Sequence, residues 1–261
     1  DLAVKAHLIK RDYVDNLAKA KNSPLRFYEE GMDGNPYVDS SRGTYLIGIV
    51  GLNECVYNLI GKELHEDILA FEKGMEIILF MNEYKGKLAE ENGIKIALEE
   101  SPAESTANRL AKVDRKHFGD KAFVKENEFG VYYTNSVHFA IDSDVDYIDR
   151  IIDQSKYHPY VDAGSMIHTW GGEHKPSPEA IFNLINKIWY ETDTAQWVLS
   201  PEYTKCTDCC QTFNGLHDLC PDCGSDKTTS MSRVTGYYTL IENWNSGKVA
   251  ELKHRKREEV L

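Results

Sequence analysis

The chain has 261 residues and a formal net charge of −12, with 41% hydrophobic and 28% charged residues. This composition is ordinary for a soluble globular protein, and the length is ample for a hydrophobic core without disulfide bonds. The acidic balance argues against a general nucleic-acid binder, which carries a basic face. The sequence has no apolar run long enough to cross a membrane and no visible signal peptide, so we expect a cytoplasmic protein.

Hydrophobic periodicity predicts helices and strands that alternate along the first two hundred residues. The predicted helices are residues 1–20, a short helix ending at 60, and residues 65–91, 107–116, 145–154 and 177–191. The predicted strands are residues 45–50, 94–98, 131–137 and 166–170, and the predicted loops are residues 22–42, 51–55 and 100–106. Ser177 is a suitable N-cap before Pro178. The alternation indicates an α/β body, either a barrel or an open parallel sheet.

A second module begins near Pro201, where the composition changes to Cys, Asp, Thr and Gly. Two Cys-x-x-Cys pairs, separated by ten residues, are formed by Cys206, Cys209, Cys220 and Cys223. Two such turns can close a tetrahedral shell of four thiolates, which suits zinc; disulfides, free thiols and an iron–sulfur cluster are the alternatives. A closed shell of four ligands predicts a structural metal. Residues 248–259 read as a charged terminal helix or tail.

Two cysteines lie outside this set. Cys210, next to Cys209, is either a bystander thiol or an alternative ligand. Cys55 stands alone after a predicted buried strand, and an isolated cysteine is most often a small core residue. By composition alone, Gly236 is a turn glycine.

The sequence Ser-Arg-Val-Thr-Gly-Tyr-Tyr at residues 232–238, followed by Asn-Trp-Asn-Ser-Gly-Lys at 243–248, resembles the glycyl radical loop of anaerobic (class III) ribonucleoside-triphosphate reductases. In that family a four-cysteine zinc site also precedes the loop. The resemblance implies a radical on Gly236, installed by a separate iron–sulfur activase that uses S-adenosylmethionine. Glycine suits a Cα radical because it has no side chain to clash when the centre flattens.

Two further segments carry the same resemblance. Residues 51–56, Gly-Leu-Asn-Glu-Cys-Val, resemble the family's cysteine loop, which implies a thiyl radical on Cys55 and a substrate contact for Asn53. Residues 100–106, Glu-Ser-Pro-Ala-Glu-Ser-Thr, look like the family's substrate loop. On their own, Ser105 and Thr106 predict a helix cap beside free N–H groups, a ready anion site. The resemblance adds phosphate contacts for these two residues, and a ribose contact and proton transfer for Glu104.

The motifs occur in the family's order, and residues 132–136, Tyr-Tyr-Thr-Asn-Ser, are also familiar in it. They imply reduction of ribonucleoside triphosphates by glycyl and thiyl radicals. The expected parts are the C-terminal portion of a glycyl radical α/β barrel (residues 1–200), a zinc module (201–228), and the radical loop with a tail (229–261).

Chains of this family are much longer than this one. The resemblance therefore implies that an N-terminal half is missing here, so that this chain is a fragment, a split-gene product or an intein-separated piece. It also implies a homodimer when the protein is complete. Two alternatives remain: a lyase-type glycyl radical enzyme, against which the zinc module argues, and a non-catalytic zinc-ribbon interaction protein.

Overall fold

The structure, a computed structural model, describes residues 1–25 and 39–260. Seven α-helices occur in this part of the chain: Leu2–Lys19 (α1), Leu52–Ile60 (α2), Ile68–Asn92 (α3), Glu104–Phe118 (α4), Tyr147–Ser155 (α5), Pro178–Glu191 (α6) and Ser246–His254 (α7). Its strands are Thr44–Ile49 (β1), Lys95–Glu100 (β2), Lys125–Asn127 (β3), Gly130–Tyr132 (β4), Ile167–Gly172 (β5), Trp197–Pro201 (β6), Tyr203–Cys206 (β7), Thr212–Asn214 (β8), Thr228–Arg233 (β9) and Tyr238–Leu240 (β10).

Two parallel strand pairs form the α/β body. β1 pairs with β2 through a crossover that contains α2 and α3, and β5 pairs with β6 through α6. The main core lies beneath the first pair and includes Val56, Ile78, Leu98 and Tyr157, all 1% exposed or less. Each large aliphatic side chain buried there contributes about 1.5–3 kcal/mol to stability. This core fixes the carboxyl ends of β1 and β2, where the candidate site lies.

Most of the predicted elements are confirmed. The helices at the N-terminus and after Ser177 form, and the Ser177 hydroxyl accepts a hydrogen bond from the N–H of Ala180 at 3.0 Å, as expected of an N-cap. The four predicted strands coincide with β1, β2, β4 and β5, although the third is much shorter than predicted. Of the predicted loop at 22–42, residues 26–38 lie outside the described residues, as does residue 261 of the tail.

Three predictions of local structure are wrong. The loop predicted at 51–55 is helical from Leu52, and the loop predicted at 100–106 is helical from Glu104. The strand predicted at 131–137 ends at Tyr132, because its partner β3 is only three residues long. Beyond it, Ser136 has φ 50°, which is incompatible with an extended strand. Residues 134–136, called the junction segment below, hydrogen-bond instead to the start of α2.

The last part of the chain forms one four-stranded antiparallel sheet in the order β10-β9-β7-β8. Because β7 pairs with β9, the boundary predicted between residues 228 and 229 divides a single sheet. Within the described residues the parallel pairs do not close into a barrel. None of the helices described is both long and apolar enough to span a membrane.

Candidate functional site

Cys55 lies in the first turns of α2, just beyond the end of β1. Gly51 between them has φ 77°, a left-handed conformation that glycine adopts without steric cost, and it lets the chain turn from strand into helix. The side chain of Cys55 is exposed, whereas its neighbours Glu54 and Val56 are buried. The thiol therefore faces away from the core at the carboxyl end of a parallel strand, where α/β proteins place reactive groups.

Asn53, for which a substrate contact is expected, is fully buried on the inner face of α2. Its amide nitrogen donates to the carboxylate of Glu63 at 3.1 Å, and its amide oxygen accepts from the N–H of Leu64 at 3.0 Å. Both ends of the side chain are thus engaged inside the protein. In this geometry Asn53 holds the cysteine helix in place, and a substrate contact for it stays a prediction.

Glu54 is a buried acid that the sequence interpretation missed. Its side chain is 1% exposed, and one carboxylate oxygen accepts from the backbone N–H (3.1 Å) and the hydroxyl (2.6 Å) of Thr134. Burial raises the pKa of Glu54 above its ordinary value. A glutamate beside the cysteine, with the apolar residues Leu52 and Val56 on either side, was the available signal. Glu54 ties the Cys55 helix to the junction segment.

The raised pKa makes stability depend on pH. A carboxyl group whose folded pKa exceeds its unfolded value, about 4.3, binds more protons when folded. The free energy of unfolding therefore falls as pH rises from the unfolded pKa through the folded pKa of Glu54. We expect Glu54→Gln, whose amide retains an acceptor for Thr134, to flatten this decline and to be the more stable protein at neutral pH.

Urea unfolding of the chain at several pH values from about 5 to about 8 measures this slope. Glu90→Gln is the matched control, because Glu90 is exposed on α3. Equal slopes for unmodified protein and Glu54→Gln would contradict the assignment of a raised pKa to Glu54.

The junction segment connects the cysteine helix to the loop that contains Gly236. On one side, the carbonyl of Thr134 accepts from the N–H of Gly51 at 2.9 Å. On the other side, the amide of Asn135 donates to the hydroxyl of Thr235 at 3.4 Å. A single short segment therefore contacts both the residue that initiates the Cys55 helix and the residue before Gly236.

Gly236 lies in the glycine loop, residues 234–237, between β9 and β10. The N–H of Val234 donates to the carbonyl of Tyr237 at 2.9 Å and closes this loop. A Cβ atom built on Gly236 meets nothing nearer than a carbon of Pro102 at 3.9 Å, and the residue does not have a left-handed φ. Neither crowding nor backbone conformation therefore requires glycine here, so the fold does not explain this residue.

Pro102 also brings the predicted substrate loop to the glycine loop. Glu104, two residues on, begins α4 and is partly buried, while Ser105 and Thr106 in its first turn are exposed. The expectation that Ser105 or Thr106 caps the helix is wrong, because the N-cap is Ala103, without a side-chain cap. The free N–H groups of the first turn still provide donors for an anion.

The four predicted cysteines form one cluster, and their ligand atoms all lie within 4.8 Å of one another. The Sγ atoms of Cys206 and Cys223 are 3.7 Å apart, and those of Cys209 and Cys220 are 3.6 Å apart. Four thiolates about 2.3 Å from a tetrahedral zinc ion are about 3.8 Å from each other. The cluster can therefore hold a metal such as zinc. The N–H of Cys223 helps to lower the pKa of the Cys220 thiol.

Cys210 is not part of the cluster found among the described residues. Its side chain is exposed and its φ is 61°, and Gly224 occupies the same place after the second Cys-x-x-Cys turn with φ 71°. Each turn is also closed by a backbone hydrogen bond of the same span. The N–H of Cys206 donates to the carbonyl of Gln211, and the N–H of Cys220 donates to the carbonyl of Ser225. This equivalence supports Cys210 as a bystander residue in a position that favours glycine.

Three charged side chains of the C-terminal segment, Lys248, Glu251 and Arg255, are buried, which the sequence interpretation missed. Lys248 and Arg255 both pair with the carboxylate of Glu251, at 2.5 Å and 2.9 Å. The guanidinium of Arg255 also donates to the carbonyls of Arg233 (3.0 Å) and Val234 (3.2 Å). The available signal was the spacing of opposite charges, three and four residues apart, in and just after α7. The two hydrogen bonds from Arg255 hold the start of the glycine loop in place.

A small cavity of about 30 Å³ lies behind the glycine loop. Val234, Asn135 and two histidines, His138 and His168, line it. His138 contacts Glu100 at 3.2 Å; although burial disfavours the charged imidazole, this carboxylate raises the pKa of His138. The cavity is large enough for one or two water molecules and too small for a nucleotide.

Comparison with known proteins places these features in one family. The family model for anaerobic ribonucleoside-triphosphate reductase matches residues 1–257. The anaerobic ribonucleoside-triphosphate reductase of Haemophilus influenzae is 25% identical over 97% of this chain and 38% of its own length. The chain thus spans well under half of that curated relative.

Solved structures share the fold. One anaerobic ribonucleotide reductase superposes with a TM-score of 0.70 at 22% identity, over 99% of this chain and 42% of its own. The Thermotoga maritima anaerobic ribonucleotide reductase in complex with dATP and CTP gives a TM-score of 0.64 at 21% identity, over 98% and 41%. Because the family model matches almost the whole length of this chain, the chain belongs to the anaerobic ribonucleoside-triphosphate reductase family.

Proposed function

We propose that this chain is the radical-bearing portion of an enzyme that reduces ribonucleoside triphosphates to deoxyribonucleoside triphosphates without oxygen. One observation carries the proposal: the fold does not require glycine at Gly236, yet the glycine loop contacts both the junction segment and the substrate loop. A glycine without a structural reason, linked through the junction segment to the Cys55 helix and through Pro102 to an anion site, fits radical chemistry.

In the proposed mechanism, Gly236 holds an unpaired electron on Cα. The neighbouring amide nitrogen and carbonyl share the electron, and the absence of a side chain lets the centre become planar. The Cys55 thiol gives its hydrogen to this carbon, and the resulting thiyl takes the 3′ hydrogen of the ribose. The S–H bond is close in strength to the C–H bonds involved, so both transfers are nearly thermoneutral.

The first turn of α4 is the proposed substrate site. Its free N–H groups, with the exposed hydroxyls of Ser105 and Thr106, suit a phosphate group. Glu104, the first residue of α4, is assigned to contact the ribose with its carboxylate and to assist proton transfer as the 2′ hydroxyl leaves as water. The Thermotoga maritima relative, solved in complex with dATP and CTP, supports a nucleotide substrate.

The four-cysteine cluster is proposed to hold structural zinc. All four ligand positions are filled by thiolates, which leaves no coordination site for substrate. The zinc would anchor β7 and its neighbour β9. β9 is the strand that leads into the glycine loop. We further propose that the complete enzyme closes the two parallel strand pairs into a barrel, is a homodimer, and receives its radical from an iron–sulfur activase that uses S-adenosylmethionine.

An anaerobic assay of the chain, completed with the upstream half and its activase, tests the function. Deoxynucleotide formed from CTP is measured with formate and a thiol reductant both supplied. Gly236→Ala is expected to abolish product, although a Cβ fits at this position. Gly86→Ala is the matched control, because its Cβ also meets nothing within 4 Å, and it should stay active. Product from Gly236→Ala, or none from the unmodified protein, would contradict the proposal.

A further inference from the structure

Arg233 spans the glycine loop and reaches the backbone of Gly236. It is the last residue of β9, and its Nη1 donates to the carbonyl oxygen of Gly236 at 2.9 Å. Its guanidinium also lies 5.1 Å from the ring centre of Tyr238, the first residue of β10. The side chain therefore contacts both the proposed radical residue and the strand that follows it.

The backbone of Arg233 is held in place by Arg255. Its own carbonyl accepts from Arg255 at 3.0 Å, and Arg255 is 3% exposed, with its guanidinium 3.6 Å from the ring centre of Trp170. Arg233 also pairs with Tyr238 across the β9–β10 ladder. The backbone of Arg233 is thus held at the edge of the glycine loop, and the ring of Tyr238 lies beside its guanidinium.

The charge of Arg233 is directed at this carbonyl and not at an acid. The two other arginines nearby have carboxylate partners: Arg255 pairs with Glu251, and Arg257 pairs with Glu202. Among the described residues, Arg233 forms no such ion pair. Hydrogen bonds from a charged donor are about twice as strong as neutral ones.

We propose that Arg233 is a catalytic residue that stabilises the radical on Gly236 through this charge-assisted hydrogen bond. The inference rests on the proposed function, because it needs Gly236 to carry the unpaired electron. A cation at the carbonyl oxygen draws electron density from the amide nitrogen through Cα. This strengthens the sharing of the unpaired electron and lowers its density on Cα.

Electron-spin resonance of the anaerobically activated reductase tests the assignment. The α-proton of a glycyl radical splits its signal into a doublet, and the splitting grows with electron density on Cα. For Arg233→Gln we expect a wider splitting and a radical yield per chain that falls about fivefold. Arg233→Lys keeps the charge and should retain more of the yield than Arg233→Gln. A splitting and a yield unchanged in Arg233→Gln would overturn the proposal.

Two controls separate the possible failures. If the unmodified protein gives no doublet, the proposed function fails, whereas a normal doublet unaffected by Arg233→Gln refutes only the role of Arg233. Bound metal and circular dichroism report whether each variant folds. If Arg233→Gln does not fold, Arg233→Lys decides: a smaller change of splitting in the same direction supports the proposal, and an unchanged splitting and yield refutes it.

Discussion

Cys55→Ser is expected to abolish nucleotide reduction while leaving the radical on Gly236 intact. The serine hydroxyl keeps the size and exposure of the thiol, but its O–H bond is far stronger than S–H and does not give its hydrogen to a carbon radical. A loss of at least about 10³-fold in turnover, about 4 kcal/mol in activation free energy, is expected. Anaerobic product formation and electron-spin resonance on the same sample measure the two quantities.

Cys210→Ser provides the matched control for this experiment. Cys210 is also an exposed cysteine outside the four-sulfur cluster, but it follows a Cys-x-x-Cys turn and not the end of a parallel strand. The control should retain full turnover. Turnover by Cys55→Ser within tenfold of the unmodified protein would refute the assignment of the thiyl to Cys55, and loss of turnover in Cys210→Ser would contradict the bystander role of Cys210.

Cys206→Ser is expected to release the metal and destabilise the sheet that carries the glycine loop. Cys206 is fully buried at the end of β7, opposite Thr228 of β9, so loss of a ligand there also leaves a buried hydroxyl. Binding of structural zinc is coupled to folding, and losing it costs several kcal/mol. Metal content by mass spectrometry and the thermal midpoint of the chain are the measurements.

Cys210→Gly distinguishes a ligand from a bystander. Because Cys210 has φ 61°, glycine fits its backbone better, and the gain is about 1 kcal/mol or less once the extra freedom of the unfolded chain is subtracted. The variant should keep one metal per chain and an equal or slightly higher thermal midpoint. Metal loss in Cys210→Gly would show that Cys210 is a ligand.

The metal cluster could be predicted from sequence because its geometry is local. Each Cys-x-x-Cys turn places two sulfurs together whatever the rest of the fold does, and the cluster forms as the spacing indicates. The helix after Ser177 was predictable for the same reason, since N-cap chemistry acts within one turn.

The supporting residues could not be predicted because they depend on long-range contacts. Glu54 accepts a hydrogen bond from Thr134, which is eighty residues away in the sequence. Arg255 donates to the carbonyl of Val234 from a segment whose sequence predicts a charged tail. The internal bonds of Asn53 were missed because its partners Glu63 and Leu64 come from a turn beyond the helix. Periodicity reports which residues are apolar and not which polar residues are enclosed.

The loop predictions were wrong because a glycine indicates that the chain turns but not how many residues the turn takes. Residues 51–55 contain a left-handed Gly51, which predicts a turn, but the turn takes a single residue before α2 begins. The barrel expected from the family resemblance stays a prediction, since the two parallel pairs are separate within the described residues.

Electron-spin resonance of the activated reductase and its Gly236→Ala variant tests the central claim most directly. The unmodified protein, completed with its upstream half and treated anaerobically with the activase, should give a doublet from one α-proton. Gly236→Ala, in which the structure leaves room for the added carbon, should fold and give no doublet. A doublet that survives in Gly236→Ala would place the radical elsewhere and contradict the account.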